Sequence, residues 1–306
     1  MQQTLKSSVV FTGLGLHSGR SARMVIRPAA ADHGIRFRRT DIALGDAVIP
    51  ARWDLAERTA LCTRLANGAG ASVSTVEHVM AALAGCGVHN ALIEIDGPEV
   101  PILDGSAAPF VRGLLACGLV RQSAPVLAIE VLRPVEVHDG AAWARLAPGK
   151  MMEITFDIDF EDSAIGHQSR HLVMKNGSFV RELCDARTFC RQADVDLMRA
   201  NGLALGGSMD NAVVVEGDRV MNPEGLRHAD EPVRHKMLDA LGDLALAGGP
   251  ILGHYTGYRA GHSLTNTLLR ALFADKTNLR AIPCNPVQAS GLPGVGVHLS
   301  EIPAVA

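Results

Sequence analysis

The sequence is poor in aromatic residues, has little net charge and contains no long apolar run. Phe, Trp and Tyr supply 4% of the 306 residues, so the core must be built mainly from aliphatic side chains. A net charge of −3 gives no general reason to expect nucleic acid or an anionic membrane as a partner. Because no run of about 18 apolar residues occurs, the chain is not expected to insert stably into a membrane.

Cysteine pairs and several common enzyme motifs are also missing. The six cysteines are scattered without a CxxC pair, and the stretch MQQTLKSSVVFTGLG lacks the apolar segment of a signal peptide. We therefore expect free thiols in a cytoplasmic protein and not a disulfide framework. Neither HExxH nor GxxxxGK[ST] occurs, which argues against the common zinc peptidases and the P-loop enzymes.

Strand-like and helical segments alternate along the chain. This pattern predicts an α+β fold with two similar domains, residues 1–124 and 125–306. Each half contains a helix with a histidine in its first turn, then a glycine turn and an apolar strand or loop. These stretches are TVEHVMAALAGCGVHNALIEI and PVRHKMLDALGDLALAGGPILG. The polar stretch EDSAIGHQSR is expected to interrupt the second set of strands, and the tail rich in Pro and Gly is expected to be loop.

The helix predicted at about 232–247 carries a histidine and two short carboxylates on one side. His235, Asp239 and Asp243 follow at intervals of four residues, opposite an apolar stripe that faces a core. A solvated face is the simpler interpretation. Such faces, however, usually carry Lys, Arg and Glu in ion-pairing register, and Asp is a poor helix former. Spacing alone leaves open both a wet face and half of a metal site.

The stretch STVEH opens the earlier helix, predicted at about 75–85. Ser74 and Glu77 fit a capping box, which accounts for Glu77 without any chemistry. His78 is not explained by the cap, because the apolar residues of this helix take the core side. If the two halves face each other, His78 joins His235 and Asp239 as a third ligand. Three protein ligands and one open position are typical of catalytic zinc, and Glu77 then lies beside a ligand as a candidate base.

Two further features carry weaker signals. His262 lies in GHS, at the junction between a loop and the helix predicted at about 263–274, and solvent exposure is its simplest interpretation. The surroundings do not form the G-x-S-x-G nucleophile motif. The stretch TGLGLHSG is a weak glycine motif, and the strand that follows it excludes a dinucleotide-binding fingerprint.

Six motifs in fixed order carry a family resemblance: STVEHVMAALAG, DGSAAPFV, ARTF, LGGSMDNAVVV, VRHKMLDALGDL and GHSLTN. Together they resemble the UDP-3-O-acyl-N-acetylglucosamine deacetylases, which make the committed step of lipid A synthesis in Gram-negative bacteria. The resemblance covers residues 4–280, and VRHKMLDALGDL together with STVEH is very specific. It implies two α+β domains whose helices are sandwiched between two β-sheets, with zinc at the domain junction.

The resemblance also implies a role for each site residue. It places the zinc ligands at His78, His235 and Asp239, the general base at Glu77 and the general acid at His262. Asp243 would orient that acid, whereas Lys236 and Thr188 would contact the substrate and the developing oxyanion. The implied reaction is hydrolysis of the N-acetyl group to acetate and a free amino sugar.

Substrate contacts are implied in the second half. Phe160 resembles the ring that packs on uracil, and Phe189 is placed with it among the substrate-binding residues. The insertion at about 189–214 resembles a hydrophobic passage for the fatty-acyl chain, with Val195, Met209 and Val214 in its wall. The expected partner is therefore an acylated UDP-sugar, and a monomer is favoured.

Two rival functions remain at this point. The first is a related zinc hydrolase with the same core, acting on another amide or ester. The second is a module that binds nucleotide or RNA without chemistry. The net charge of −3 and the lack of a basic stripe speak against RNA. A combined set of Glu-His, His-x-x-x-Asp and a further His is hard to justify in a protein that is not an enzyme.

Overall fold

The computed structural model describes residues 1–59 and 61–304. Within them the chain has the mixed α+β structure that the patterning predicts. The helices are α1 Glu77–Cys86, α2 Ala108–Cys117, α3 Ser178–Glu182, α4 Gln192–Ala200, α5 Glu231–Leu244, α6 His262–Ala274 and α7 Pro286–Ser290. Short 3-10 helices cover Trp53–Leu55, Ala245–Ala247 and Leu299–Glu301.

A five-stranded sheet is built from the first half of the chain. Its strands are β2 Val9–Leu14, β3 Ser21–Pro28, β4 Ile35–Arg39, β5 Val48–Pro50 and β9 Ala91–Ile95, in the order β2-β3-β9-β4-β5. Strand β9 follows α1 and lies at the centre, antiparallel to β3 and parallel to β4. Central strands that are buried read as apolar runs, and β9 has the sequence ALIEI.

A seven-stranded sheet is built from the second half. Its strands are β11 Leu127–Val131, β12 Val135–Asp139, β13 Ala142–Pro148, β14 Met152–Asp159, β15 His167–Val173, β19 Ile251–Tyr258 and β20 Leu279–Pro283. Strand β19, which follows α5, is flanked by β13 (antiparallel) and β14 (parallel). The helix-then-central-strand order of the first half therefore recurs here.

Three smaller sheets complete the fold. They comprise β1 Gln3–Leu5 with β10 Leu119–Arg121; β6 Ala56–Glu57, β7 Arg64–Ala66 and β8 Ser72–Val73; and β16 Phe189–Arg191, β17 Val213–Glu216 and β18 Arg219–Val220.

Four helices, α1, α2, α5 and α6, lie between the two large sheets. Helix α2 packs on β2 of the first sheet, α5 and α6 pack on the second sheet, and α1 contacts both α2 and α5. Every residue of α1 except Ala84 is buried. The polar side of α5 is thus not a solvated face, because α1 covers it. None of the helices in the described ranges is long and apolar enough to cross a bilayer.

Two expectations about the second half are wrong. The last four residues of the polar stretch, 167–170, do not interrupt the sheet: they begin the strand β15 (His167–Val173), which pairs with β14 at a sheet edge. Edge strands are often polar and exposed, so hydrophobic patterning does not reveal them. The tail is also not simply loop: β20 pairs with β11, and Asn285 caps α7 through a capping box with Gln288. Residues 305 and 306 of the tail lie outside the described residues.

Candidate metal centre and catalytic site

Close contact between α1 and α5 brings the predicted ligands together. Gly242 of α5 meets the backbone of Glu77 so closely that a Cβ there would lie 2.1 Å from the Glu77 carbonyl oxygen. At this crossing the Nε2 atoms of His78 and His235 lie 3.6 Å and 3.3 Å from Asp239 Oδ1. The two imidazole rings meet edge to face, with centroids 5.0 Å apart.

The donor set of His78, His235 and Asp239 fits a tetrahedral metal ion. Ligand atoms about 2.0–2.1 Å from zinc lie roughly 3.3 Å from one another, close to the distances observed. His235 Nδ1 donates to the Ala186 carbonyl oxygen at 3.0 Å, which leaves Nε2 free to ligate. Asp239 Oδ1 is buried without a hydrogen-bond partner among the residues that the structure describes. A buried, unpaired carboxylate oxygen facing two imidazoles is what a cation site requires.

Ionisation of the cluster also favours metal binding. Burial lowers the pKa of His235 to about 4, so the ring is neutral at pH 7 and offers a lone pair. Burial opposes charge on Asp239, but the basic groups His235, Lys236 and His262 hold the pKa of its carboxyl well below the usual range. Neutral imidazole and ionised carboxylate are the forms that ligate metals.

Glu77 is held by Thr63 and not by a capping box. Helix α1 begins at Glu77 after Val76, with no side-chain cap, so the predicted box with Ser74 is wrong. The Thr63 backbone N–H donates to Glu77 Oε2 at 2.9 Å instead. Burial raises the pKa of the Glu77 carboxyl, partly offset by the charges of His262 and His78. A raised pKa suits a carboxylate that must accept a proton near neutral pH.

His262 is buried at the start of α6 and is paired with Asp243. Its Nδ1 lies 2.9 Å from Asp243 Oδ2, and its Nε2 lies 3.8 Å from both Glu77 Oε1 and Asp239 Oδ2. The solvent-exposed interpretation is therefore wrong. Burial alone would lower the pKa of His262, but Asp243, Glu77 and Asp239 outweigh it and raise the pKa to about 9. The ring can carry a proton at pH 7 toward the cluster.

Lys236 lies beside the candidate ligand Asp239, and Thr188 lies close in sequence to Ala186, whose carbonyl oxygen accepts from His235. Lys236 Nζ donates to Asp239 Oδ2 at 2.8 Å; burial would lower the pKa of Lys236, but Asp239 and other carboxylates raise it. Thr188 follows two residues after the Ala186 carbonyl that holds His235. Its backbone is fixed between Gly105 and Val213.

The predicted substrate residues fall into two groups. Phe160 and Phe189 form an edge-to-face pair with centroids 5.5 Å apart, and Phe189 also meets the His235 ring at 6.4 Å. Phe189 therefore adjoins the candidate ligand His235, and Phe160 packs on Phe189. Val214 is buried in β17, Val195 is half-buried on α4, and Met209 is 42% exposed. The insertion that carries Val195 and Met209 also exposes Leu197, Leu203 and Leu205.

Two polar residues near the site were missed by the sequence interpretation. Thr63 donates its hydroxyl to Asp243 Oδ1 at 2.5 Å while its N–H holds Glu77. His17, in the weak glycine motif TGLGLHSG, has both ring nitrogens buried without partners in the described part of the chain. Its carbonyl accepts from Leu205 of the insertion. A histidine between glycines was the available signal for His17; nothing in the sequence pointed to Thr63.

Alanine at Gly242 should destabilise the fold by about 2 kcal/mol, because its Cβ would force α1 and α5 apart. This loss exceeds the ~1 kcal/mol that alanine gains over glycine in a helix interior. The midpoint of guanidinium unfolding measures it. Gly68→Ala is the control, since nothing lies within 4 Å of a Cβ there. A G242A protein as stable as the wild type would contradict the close crossing.

Comparison with known proteins decides the family. The model of the family described as UDP-3-O-acyl N-acetylglycosamine deacetylase (LpxC) matches residues 2–274. The chain belongs to this deacetylase family. A protein of Phenylobacterium zucineum named UDP-3-O-acyl-N-acetylglucosamine deacetylase is 51% identical over 273 residues, covering 89% of this chain and 93% of that protein. Proteins of the same name from Shewanella frigidimarina and Shewanella oneidensis are 47% and 48% identical, each covering 90% of both chains.

Membership of the deacetylase family confirms the resemblance drawn from the motifs. It makes the chain an enzyme of the hydrolase class, so the interpretation as a binding module without chemistry is excluded. The residues grouped at the α1–α5 crossing all lie within the matched range. Three of them, His78, His235 and Asp239, could hold a metal ion.

Proposed function

We propose that the chain hydrolyses the N-acetyl group of UDP-3-O-(3-hydroxyacyl)-N-acetylglucosamine, giving UDP-3-O-acyl-glucosamine and acetate. This is the committed step of lipid A biosynthesis. The observation that carries the proposal is the convergence of three candidate ligands, the buried carboxylate of Glu77 and the buried imidazole of His262 in a member of the deacetylase family. Hydrolysis of an amide needs polarisation of the carbonyl, deprotonation of the attacking water and protonation of the leaving nitrogen. The residues of this site can supply all three.

We assign zinc to His78, His235 and Asp239, because two imidazoles and one carboxylate with an open position are a catalytic zinc set. When bound, zinc supplies a Lewis acid that polarises the amide carbonyl and lowers the pKa of water. The unpaired Oδ1 of Asp239 and the orienting bond from His235 to Ala186 support this assignment.

Glu77 acts as the general base in this scheme. Its Oε2 accepts from the Thr63 N–H, so Oε1 is the oxygen left to take the proton of the attacking water. Thr63 donates to both Glu77 and Asp243. It thereby fixes the general base relative to the carboxylate that orients His262. Fixing such groups before the reaction removes the need to reorganise them during it.

His262 then delivers a proton to the leaving amine. Asp243 holds its Nδ1 and so directs Nε2 toward the reacting centre. Lys236 and Thr188 donate to the oxyanion that forms on the acetamide oxygen. Lys236 Nζ is held 2.8 Å from Asp239 Oδ2, which keeps this cation beside the candidate ligands.

The rest of the substrate is assigned to the second half. Phe160, with Phe189 beside it, offers an aromatic surface to uracil. Val195, Met209 and Val214 form the wall for the fatty-acyl chain, supported by the apolar side chains that the insertion exposes. Exposed apolar residues grouped on one segment are typical of a binding surface.

We further propose the division into domains at residues 124 and 125, and a monomer in the cytoplasm. Each strand pairing in the described ranges joins strands from the same side of that boundary. All six cysteines are free thiols, which suits a reducing compartment.

Substrate comparison separates the proposal from its rival, a zinc hydrolase for another amide or ester. We expect kcat/KM for the 3-O-acylated UDP-sugar to exceed that for UDP-N-acetylglucosamine by about 100-fold or more, because acyl-chain burial is worth several kcal/mol. Release of acetate is the measurement. Equal kcat/KM values, or turnover of simple esters only, would favour the rival.

A further inference from the structure

A second group of metal-binding side chains lies on the outer face of the seven-stranded sheet. Alternate residues of β14 share one face, so Glu153 and Thr155 point away from the buried Ile154 and Phe156. In the strand register His171 of β15 stands opposite Thr155.

His254 of β19 stands opposite Glu153. Helix α5 packs against β14 and β15, on the face of the sheet from which the buried side chains of Ile154 and Phe156 project. The group of Glu153, His171 and His254 is therefore separated from the α1–α5 crossing by the sheet itself.

The donor atoms of this group lie so close together that small side-chain rotations would bring all three onto one metal ion. One donor atom from each of Glu153, His171 and His254 lies within 4.8 Å of the others. His171 Nε2 is 3.7 Å from Glu153 Oε2, and the two imidazole rings have centroids 5.6 Å apart. The side chains of His171 and Glu153 are 47% and 34% exposed, so an ion can reach them from solvent.

Thr155 orients both rings. Its hydroxyl oxygen lies 2.8 Å from His254 Nε2 and 3.0 Å from His171 Nδ1. A hydroxyl oxygen has two lone pairs, so it can accept from both rings at once. With Thr155 as the acceptor, each ring would carry its proton on the nitrogen facing Thr155, and His171 Nε2 and His254 Nδ1 would keep their lone pairs. Outer hydrogen bonds of this kind fix the tautomer of histidines that ligate metals.

We propose that Glu153, His171 and His254 form a second metal site, for a divalent transition metal such as Zn²⁺, Ni²⁺ or Cu²⁺. Two imidazoles with one carboxylate favour these ions over Mg²⁺ and Ca²⁺, which prefer oxygen ligands. The remaining positions of the ion are open to water.

Two neighbouring histidine–carboxylate pairs on the same sheet lack this arrangement. His138 lies 2.8 Å from Glu136, and His167 lies 4.0 Å from Asp157, each with a single imidazole. Exposed ion pairs of this kind contribute little to stability. Within the described ranges, Glu153, His171 and His254 are the one group outside the catalytic cluster that brings three such donor atoms within 4.8 Å of one another.

Metal stoichiometry tests the site. Protein freed of metal and dialysed against buffered ZnCl₂ should bind two equivalents, whereas His171→Asn and His254→Asn should each bind one and keep full deacetylase activity. His138→Asn is the matched control and should bind two. Loss of the first equivalent in His235→Ala, with the second kept, would show that the sites are independent. One equivalent in the wild type, or two in the double variant H171N/H254N, would overturn the proposal.

Thr155→Val gives a finer test, because it removes the hydroxyl while keeping the shape. We expect the affinity for the second equivalent of Zn²⁺ to fall about 10- to 100-fold, with the first unaffected. Equilibrium dialysis over a range of free Zn²⁺ measures the change. An unchanged affinity would contradict the arrangement, since the rings would then not depend on Thr155 for their tautomers.

Discussion

Glutamine in place of Glu77 should lower kcat by about 100-fold or more while the protein keeps its fold and its metal. The amide has nearly the same volume and can still accept from the Thr63 N–H, so the packing at the α1–α5 crossing is retained. What it loses is the basic oxygen that takes a proton from water. Initial rates of acetate release, with metal content measured on the same samples, give the result.

The control for this variant is Glu57→Gln, because Glu57 is about half exposed and forms an ion pair with Arg64 at 3.2 Å, away from the α1–α5 crossing. It should match the wild type in rate and metal content. Full activity in E77Q would place the base elsewhere. If E77Q instead lost its fold or its metal, the carboxylate would be structural and its assignment as base would fail.

Glutamine at His262 should lower kcat by about 100-fold and remove the basic limb of the pH profile. The pKa of His262 is raised to about 9 by Asp243, Glu77 and Asp239 against the opposing effect of burial. The acid therefore exists below that pKa and is lost as pH rises through it. A divalent cation nearby lowers the value, so the limb is expected at or below about pH 9.

Asp243→Asn is the companion variant for this test. It removes the strongest cause that raises the pKa of His262, so the basic limb should move to lower pH without disappearing. Profiles of kcat against pH for the wild type, H262Q and D243N measure both effects. A limb that persists unchanged in H262Q would exclude His262 as the proton donor.

The helices that carry the site were predictable because their signals are local. Apolar spacing and glycine stops placed α1, α5 and α6 within a few residues of their ends, and the spacing of His235, Asp239 and Asp243 placed them on one side of α5. Whether that side faced water could not be decided from one helix. The answer depends on α1, which lies more than a hundred residues earlier in the chain.

The contacts that were missed are long-range or lack a pattern. Thr63 reaches Asp243 across 180 residues of sequence, and a lone threonine between short strands carries no signal. Strand β15 is an exposed edge strand without an apolar face, so hydrophobic alternation does not mark it in the sequence. Its backbone pairing with β14 is what makes it a strand. The capping box failed for a different reason: α1 begins at Glu77 itself, and the Glu77 carboxylate accepts from the distant Thr63 N–H.

Removal of the metal tests the central claim most directly. Protein treated with chelator should lose acetate release from the 3-O-acylated UDP-sugar by at least about 100-fold, and one equivalent of Zn²⁺ should restore it. His235→Ala, lacking a ligand, should not recover under the same conditions. Full turnover by a sample that elemental analysis shows to be free of metal would contradict the account.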